Sequence, residues 1–99
     1  MPSKAARDTL SAVRQRIDRL DGELLRLVNR RAALALLIGR IKKRRKWPVF
    51  DAQREAFVLS RVMRANRGPL SDHAVTHVFH AVLRECRRRQ RAAASKRSR

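Results

Sequence analysis

The sequence predicts an all-α fold, with three helices per chain (one long, two shorter) paired into an intertwined homodimer. Three observations lead there. Apolar residues recur at steps of three and four along most of the chain, the spacing of one helix face. Gly and Pro number only three each and Tyr is absent, which argues against a turn-rich β fold. Pro48 and the Gly68-Pro69 pair cut the periodic pattern into three stretches, the first so long that the other two together only just match it.

The first helix is predicted from about Asp8 to about Arg45, with Asp8, Thr9 or Ser11 as its cap. Its apolar seam is Leu10, Val13, Ile17, Leu20, Leu24, Leu27, Leu34, Ile38 and Ile41, the heptad pattern of helix packing. The loop Lys46-Trp47-Pro48-Val49-Phe50 follows. Asp51 is suited to cap a second helix over about 51–65, closed by Asn66-Arg67-Gly68-Pro69. Ser71 then caps a third helix to about Arg91, with Leu70 and Val75 at the positions of a hydrophobic staple. Residues 1–91 thus form one helical domain, and residues 92–99 read as a basic, disordered tail.

The dimer follows from lengths. The first helix would be roughly 55 Å long at 1.5 Å per residue. A compact domain of this size is only roughly 26 Å across. Pairing two long helices buries their seams, and twofold dimers are the commonest closed oligomers.

Composition narrows the function. The single cysteine, Cys86, excludes an intrachain disulfide or a cysteine-cluster metal site and points to a reducing compartment. No apolar run approaches the roughly 18–20 residues of a membrane span, and the N-terminal stretch lacks a secretory apolar core. A cytoplasmic protein is expected. The net charge of +18, from 26 Lys and Arg against 8 Asp and Glu, calls for an anionic partner. Nucleic acid and a small polyanionic metabolite are the two candidates.

Polar residues on apolar faces discriminate between them. Arg31 sits on the first seam between Leu27 and Leu34, and Arg14 and Lys42 flank it. Glu55 lines up with Val58, Leu59 and Val62; Gln90 continues Val75, Phe79, Val82 and Cys86. Each has a plainer explanation. Arg31 could snorkel; Arg14 and Lys42 could be solvated; Glu55 could serve the helix dipole; Gln90 could mark the end of the core; Cys86 could be a small apolar filler. Together they point to a cationic pocket. A buried, unpaired arginine costs several kcal/mol. Glu55 alone cannot neutralise Arg31, Arg14, Lys42 and Arg54, so a dianion would complete the balance. The arginine fork matches carboxylates. His73, His77 and His80 read as surface residues with no carboxylate among them to make a metal site. No Gly-rich phosphate loop, dinucleotide fingerprint or nucleophile–base pair is visible, so neither cofactor nor metal is expected.

The chain resembles the all-helical class of chorismate mutases over about positions 8–91. The matching segments are residues 13–21, Leu24-Leu25, Arg30-Arg31, Ile38-Gly39-Arg40-Ile41-Lys42, Pro48-Val49-Phe50-Asp51, Arg54-Glu55, residues 68–72, and the pair Cys86 and Gln90. The resemblance implies a phenylalanine and tyrosine biosynthetic isomerase of the shikimate pathway, rearranging chorismate to prephenate without a cofactor. It implies that Arg31 and the partner's Arg14 hold the carboxylates. Lys42 and Gln90 would contact the ether oxygen of the breaking bond. Glu55 and the backbone N–H of Asp51 would bind the ring hydroxyl, and Arg54 would add positive field. Position 86 often carries a hydroxyl in this class; Cys86 is a poorer donor.

Two other readings remain. A related isochorismate–pyruvate lyase would share the fold, although Glu55 suits the chorismate hydroxyl. A basic helical nucleic-acid-binding protein would use the run Arg87-Arg88-Arg89, Arg91, Lys96-Arg97 and Arg99, but no recognised motif accompanies it. The tail is suited at most to weak, nonspecific phosphate binding.

Overall fold

The computed structural model describes residues 3–95. It contains α1 (Lys4–Arg45), α2 (Ala52–Ala65) and α3 (Asp72–Ser95), with no strand among the described residues. The expected class and element order are met. The chain divides into two compact units, residues 1–30 and 31–99, and α1 runs through the boundary.

The first unit is helical from Lys4, earlier than the sequence suggested. Ser3 is the cap: its Oγ accepts from the Ala6 N–H at 3.1 Å and its carbonyl from the Arg7 N–H at 3.0 Å. The expected caps Asp8, Thr9 and Ser11 lie inside the helix. Ala5 and Ala6 are the best helix formers and carry α1 back to Ser3. Thr9 donates its hydroxyl to the Ala5 carbonyl at 3.0 Å, which frees it from a capping role. The seam residues Leu10, Val13, Ile17, Leu20, Leu24 and Leu27 are all exposed, from 44 % to 61 %.

In the second unit α2 packs on α3. Its core is small: Ala35 of α1, Val58 of α2, and Leu83 and Cys86 of α3. Here the chain's own core uses a face of α1 beside the predicted seam. Leu34, Ile38 and Ile41 remain exposed, whereas Ala35 and Gly39 are buried. The reason is close approach. A Cβ on Gly39 would meet Cα and Cβ of Gln90 at 3.3 Å, so only a residue without a side chain fits comfortably against α3 there.

Local chemistry sets the remaining boundaries. α1 ends with Lys46 in the left-handed region, φ 59°. The Lys46 N–H donates to the Lys43 carbonyl at 3.1 Å and the Trp47 N–H to the Lys42 carbonyl at 2.8 Å. This is a Schellman-type ending with lysine where glycine is usual. Asp51, in extended conformation, caps α2 by accepting from the Arg54 N–H at 3.0 Å. Ser71 caps α3 by accepting from the Ala74 N–H at 3.0 Å. Between them Gly68 takes φ +75°, and its N–H donates to the Asn66 side chain at 3.1 Å. α3 continues to Ser95, four residues past the expected end, because Ala92-Ala93-Ala94 favours helix. Lys96 to Arg99 of the expected tail lie outside the described residues. No described helix is long and apolar enough to cross a membrane.

Candidate active site

The ends of all three helices in the second unit surround a cavity of about 260 Å³. Arg31, Leu34, Ala35, Ile38 and Lys42 reach it from α1, Asp51, Arg54 and Glu55 from the start of α2, and Leu83, Cys86, Arg87 and Gln90 from α3. On α1 the residues 31, 34, 35, 38 and 42 share one face through helical spacing; on α3 the set 83, 86, 87 and 90 does the same.

Seven residues singled out in the sequence therefore meet at one cavity: Arg31, Lys42, Asp51, Arg54, Glu55, Cys86 and Gln90. The eighth, Arg14, belongs to the first unit, where it is exposed, and is not part of this lining. His73, His77 and His80 are exposed, and no group of three or more His, Cys, Asp or Glu among the described residues is arranged to hold a metal ion.

Each polar group is held in a definite way. Arg31 donates through Nη1 to Cys86 Sγ at 3.2 Å, so its other guanidinium protons remain for a ligand. Cys86 is buried and acts here as an acceptor. Lys42 lies in the last turn of α1, and its Nζ donates to the Val49 carbonyl at 2.7 Å. The Schellman ending makes that bond available, since it folds the loop back over Lys42. Asp51 is occupied as the α2 cap, and Arg54 stacks its guanidinium over the Phe57 ring at 5.3 Å. Gln90 is half-buried with its backbone against Gly39.

Sequence reasoning missed Arg87, which it assigned to a basic run. Arg87 Nη1 donates to Glu55 Oε2 in an ion pair, and the guanidinium lies over the Phe50 ring at 5.1 Å. The signal was present: Arg87 is four residues past Leu83 and three before Gln90, on the apolar face of α3. With Arg87 counted, four cationic side chains and two carboxylates line the cavity, a surplus of two positive charges.

The comparisons agree with this architecture. Residues 13–91 match the family model for chorismate mutase type II. The chain is 39 % identical over 87 residues to a bifunctional chorismate mutase/prephenate dehydratase of Pseudomonas aeruginosa, aligning 83 % of this chain with 24 % of that protein. A bifunctional protein of the same description from Neisseria gonorrhoeae is 42 % identical over 73 residues, 74 % of this chain and 20 % of that one. The chain thus spans about a quarter or less of the length of these curated relatives. Among solved structures, chorismate mutase from Helicobacter pylori in complex with prephenate aligns with a TM-score of 0.84 and 28 % identity, covering 92 % of this chain and 99 % of that one. Form II of the Thermus thermophilus chorismate mutase aligns with a TM-score of 0.79 and 25 % identity, covering 92 % of this chain and 99 % of that chain. With the family model matching most of its length, the chain belongs to the chorismate mutase type II family and is a chorismate mutase domain.

Proposed function

We propose that this cavity rearranges chorismate to prephenate, in phenylalanine and tyrosine biosynthesis, through the protein's own groups. The observation that carries the reading is the surplus of two positive charges in a small cavity, which matches a dicarboxylate. Arg31 clamps one carboxylate with the guanidinium protons that Cys86 leaves unused. Holding the enolpyruvyl arm over the ring lowers the entropic part of the barrier. As the C–O bond stretches, negative charge grows on the ether oxygen. Lys42, with two ammonium protons beyond the one given to Val49, and the Gln90 amide donate to that oxygen more strongly as charge develops. Glu55 accepts from the ring hydroxyl, the Asp51 N–H donates to it, and Arg54 adds field near a carboxylate.

The finer reading is an intertwined cytoplasmic homodimer in which Arg14 of each chain completes the partner's cavity. The exposed seam of the first unit supports it, since six large apolar side chains in one stripe call for a partner. Arg14 flanks that stripe next to Val13. The single buried, unpaired Cys86 is consistent with a reducing compartment.

The test is the disappearance of chorismate with the purified chain, the product being identified. Prephenate as sole product is expected. Release of pyruvate from isochorismate, with chorismate untouched, would replace this reading with the lyase; inertness toward both would end the enzymatic reading.

A further inference from the structure

We propose that Arg87 is a positioning residue for the reaction, holding the Glu55 carboxylate at the cavity wall and away from the other cations there. The inference rests on the reading that the cavity rearranges chorismate. Glu55 shares its cavity with Arg31, Lys42 and Arg54. Left to itself, a mobile carboxylate would be drawn to whichever of these it reached and would cancel charge intended for the substrate. Arg87 prevents this. Its Nη1 donates to Oε2, and Oε1 is the oxygen offered to a hydroxyl donor. Both side chains are 23 % exposed, enough burial for the pair to be weakly screened and oriented by its surroundings. The guanidinium is itself held in place, because it lies over the ring of Phe50, immediately before the α2 cap Asp51. Arg87 therefore links α3 to the loop that carries Val49, the acceptor for Lys42, and to the first turn of α2.

The alternative is that Arg87 contacts substrate directly, since it lines the cavity. A double-mutant cycle separates the two roles. We expect Arg87→Ala to lower kcat/KM at least about tenfold, with both kcat and KM affected, as orientation and field are lost together. Arg87→Lys should recover part of the loss, because it keeps the charge without the fork. In a Glu55→Gln background, Arg87→Ala should change kcat/KM, and the prephenate dissociation constant by calorimetry, less than about threefold. Equal losses in both backgrounds would make Arg87 a substrate ligand and overturn the proposal. So would an Arg87→Ala protein within twofold of the parent, whether or not its melting temperature falls. Should Arg87→Ala fail to fold, Arg87→Met, which keeps an apolar stem against Phe50 without the charge, takes its place in the cycle, with the same outcomes supporting or overturning the proposal. A parent chain inactive on chorismate would refute the underlying reading, and this one with it; an active parent with a silent Arg87 refutes only this one.

Discussion

The hydrogen-bond acceptor of Arg31 among the described residues is the Cys86 sulfur. A thiol sulfur is a weak partner for a guanidinium. Arg31 is thus a half-buried cation that the described residues satisfy only weakly, the arrangement expected where stability is traded for ligand binding. Arg31→Leu should abolish measurable turnover, a loss of at least about 10²-fold by analogy with removal of a key charge-stabilising donor. It should leave the melting temperature of the apo protein unchanged or raised, because leucine removes the desolvation cost. A fall of many degrees would make Arg31 structural. Gln90 allows a sharper test of chemistry. An amide donates its hydrogen bond throughout the pH range of the enzyme. A glutamate donates only when protonated, with a reference pKa of about 4.3. Gln90→Glu should be poor at neutral pH and gain kcat/KM as pH falls, against a flatter parent profile, with folding checked at each pH. Parallel profiles would show that residue 90 does not face the breaking bond. Charged and amide residues on otherwise apolar faces were legible in the sequence because periodicity alone exposes them. Arg87 was not, because a run of three arginines hides the one that points inward, and only the phase of α3 set by Leu83 and Cys86 distinguishes it.

Helix ends were legible where one side chain decides them. Asp51 and Ser71 cap α2 and α3 through contacts three residues long, and such short-range signals survive in the sequence. The start of α1 was less so, since Asp8, Thr9 and Ser11 are as good caps in isolation as Ser3; the alanines between them decide. In the second unit α1 also has a packing face beside its apolar seam. Counting large apolar residues finds the face with the greatest hydrophobicity. It does not find Ala35 and Gly39, which are buried beside that face, Gly39 because its backbone comes close to Gln90 of α3. That closeness has a functional consequence. Gly39→Ala gains about 1 kcal/mol of helix propensity, but its Cβ would press on the Gln90 backbone at 3.3 Å. We expect a melting temperature within a few degrees of the parent and kcat/KM reduced about tenfold, the displacement of Gln90 by a few tenths of an ångström being felt in the chemistry before the fold. An unchanged kcat/KM would show that the approach of α1 to α3 does not set the Gln90 position.

At the scale of the whole molecule the charge of the chain and the charge of its cavity are different quantities. Most of the 26 basic residues are exposed and belong to the helix surfaces, whereas the surplus that matters for catalysis is two. Composition therefore suggested an anionic partner, and only placement chose a small one. In the proposed dimer, a second copy of the chain would cover the exposed stripe from Leu10 to Leu27 and take up the exposed Arg14 beside it. One measurement tests that account most directly, because it requires the activity, the dimer and the shared site at once. Chains carrying Arg14→Ala and chains carrying Arg31→Ala are each assayed for chorismate turnover, then mixed, unfolded, refolded together and assayed again. If each cavity takes Arg31 from one chain and Arg14 from the other, both variants are inactive alone. The heterodimers, about half of the mixture by random pairing, then hold one intact site in two. Recovery of about a quarter of the parent activity per chain is the predicted result; heterodimers shown to form without any recovered turnover would contradict the account.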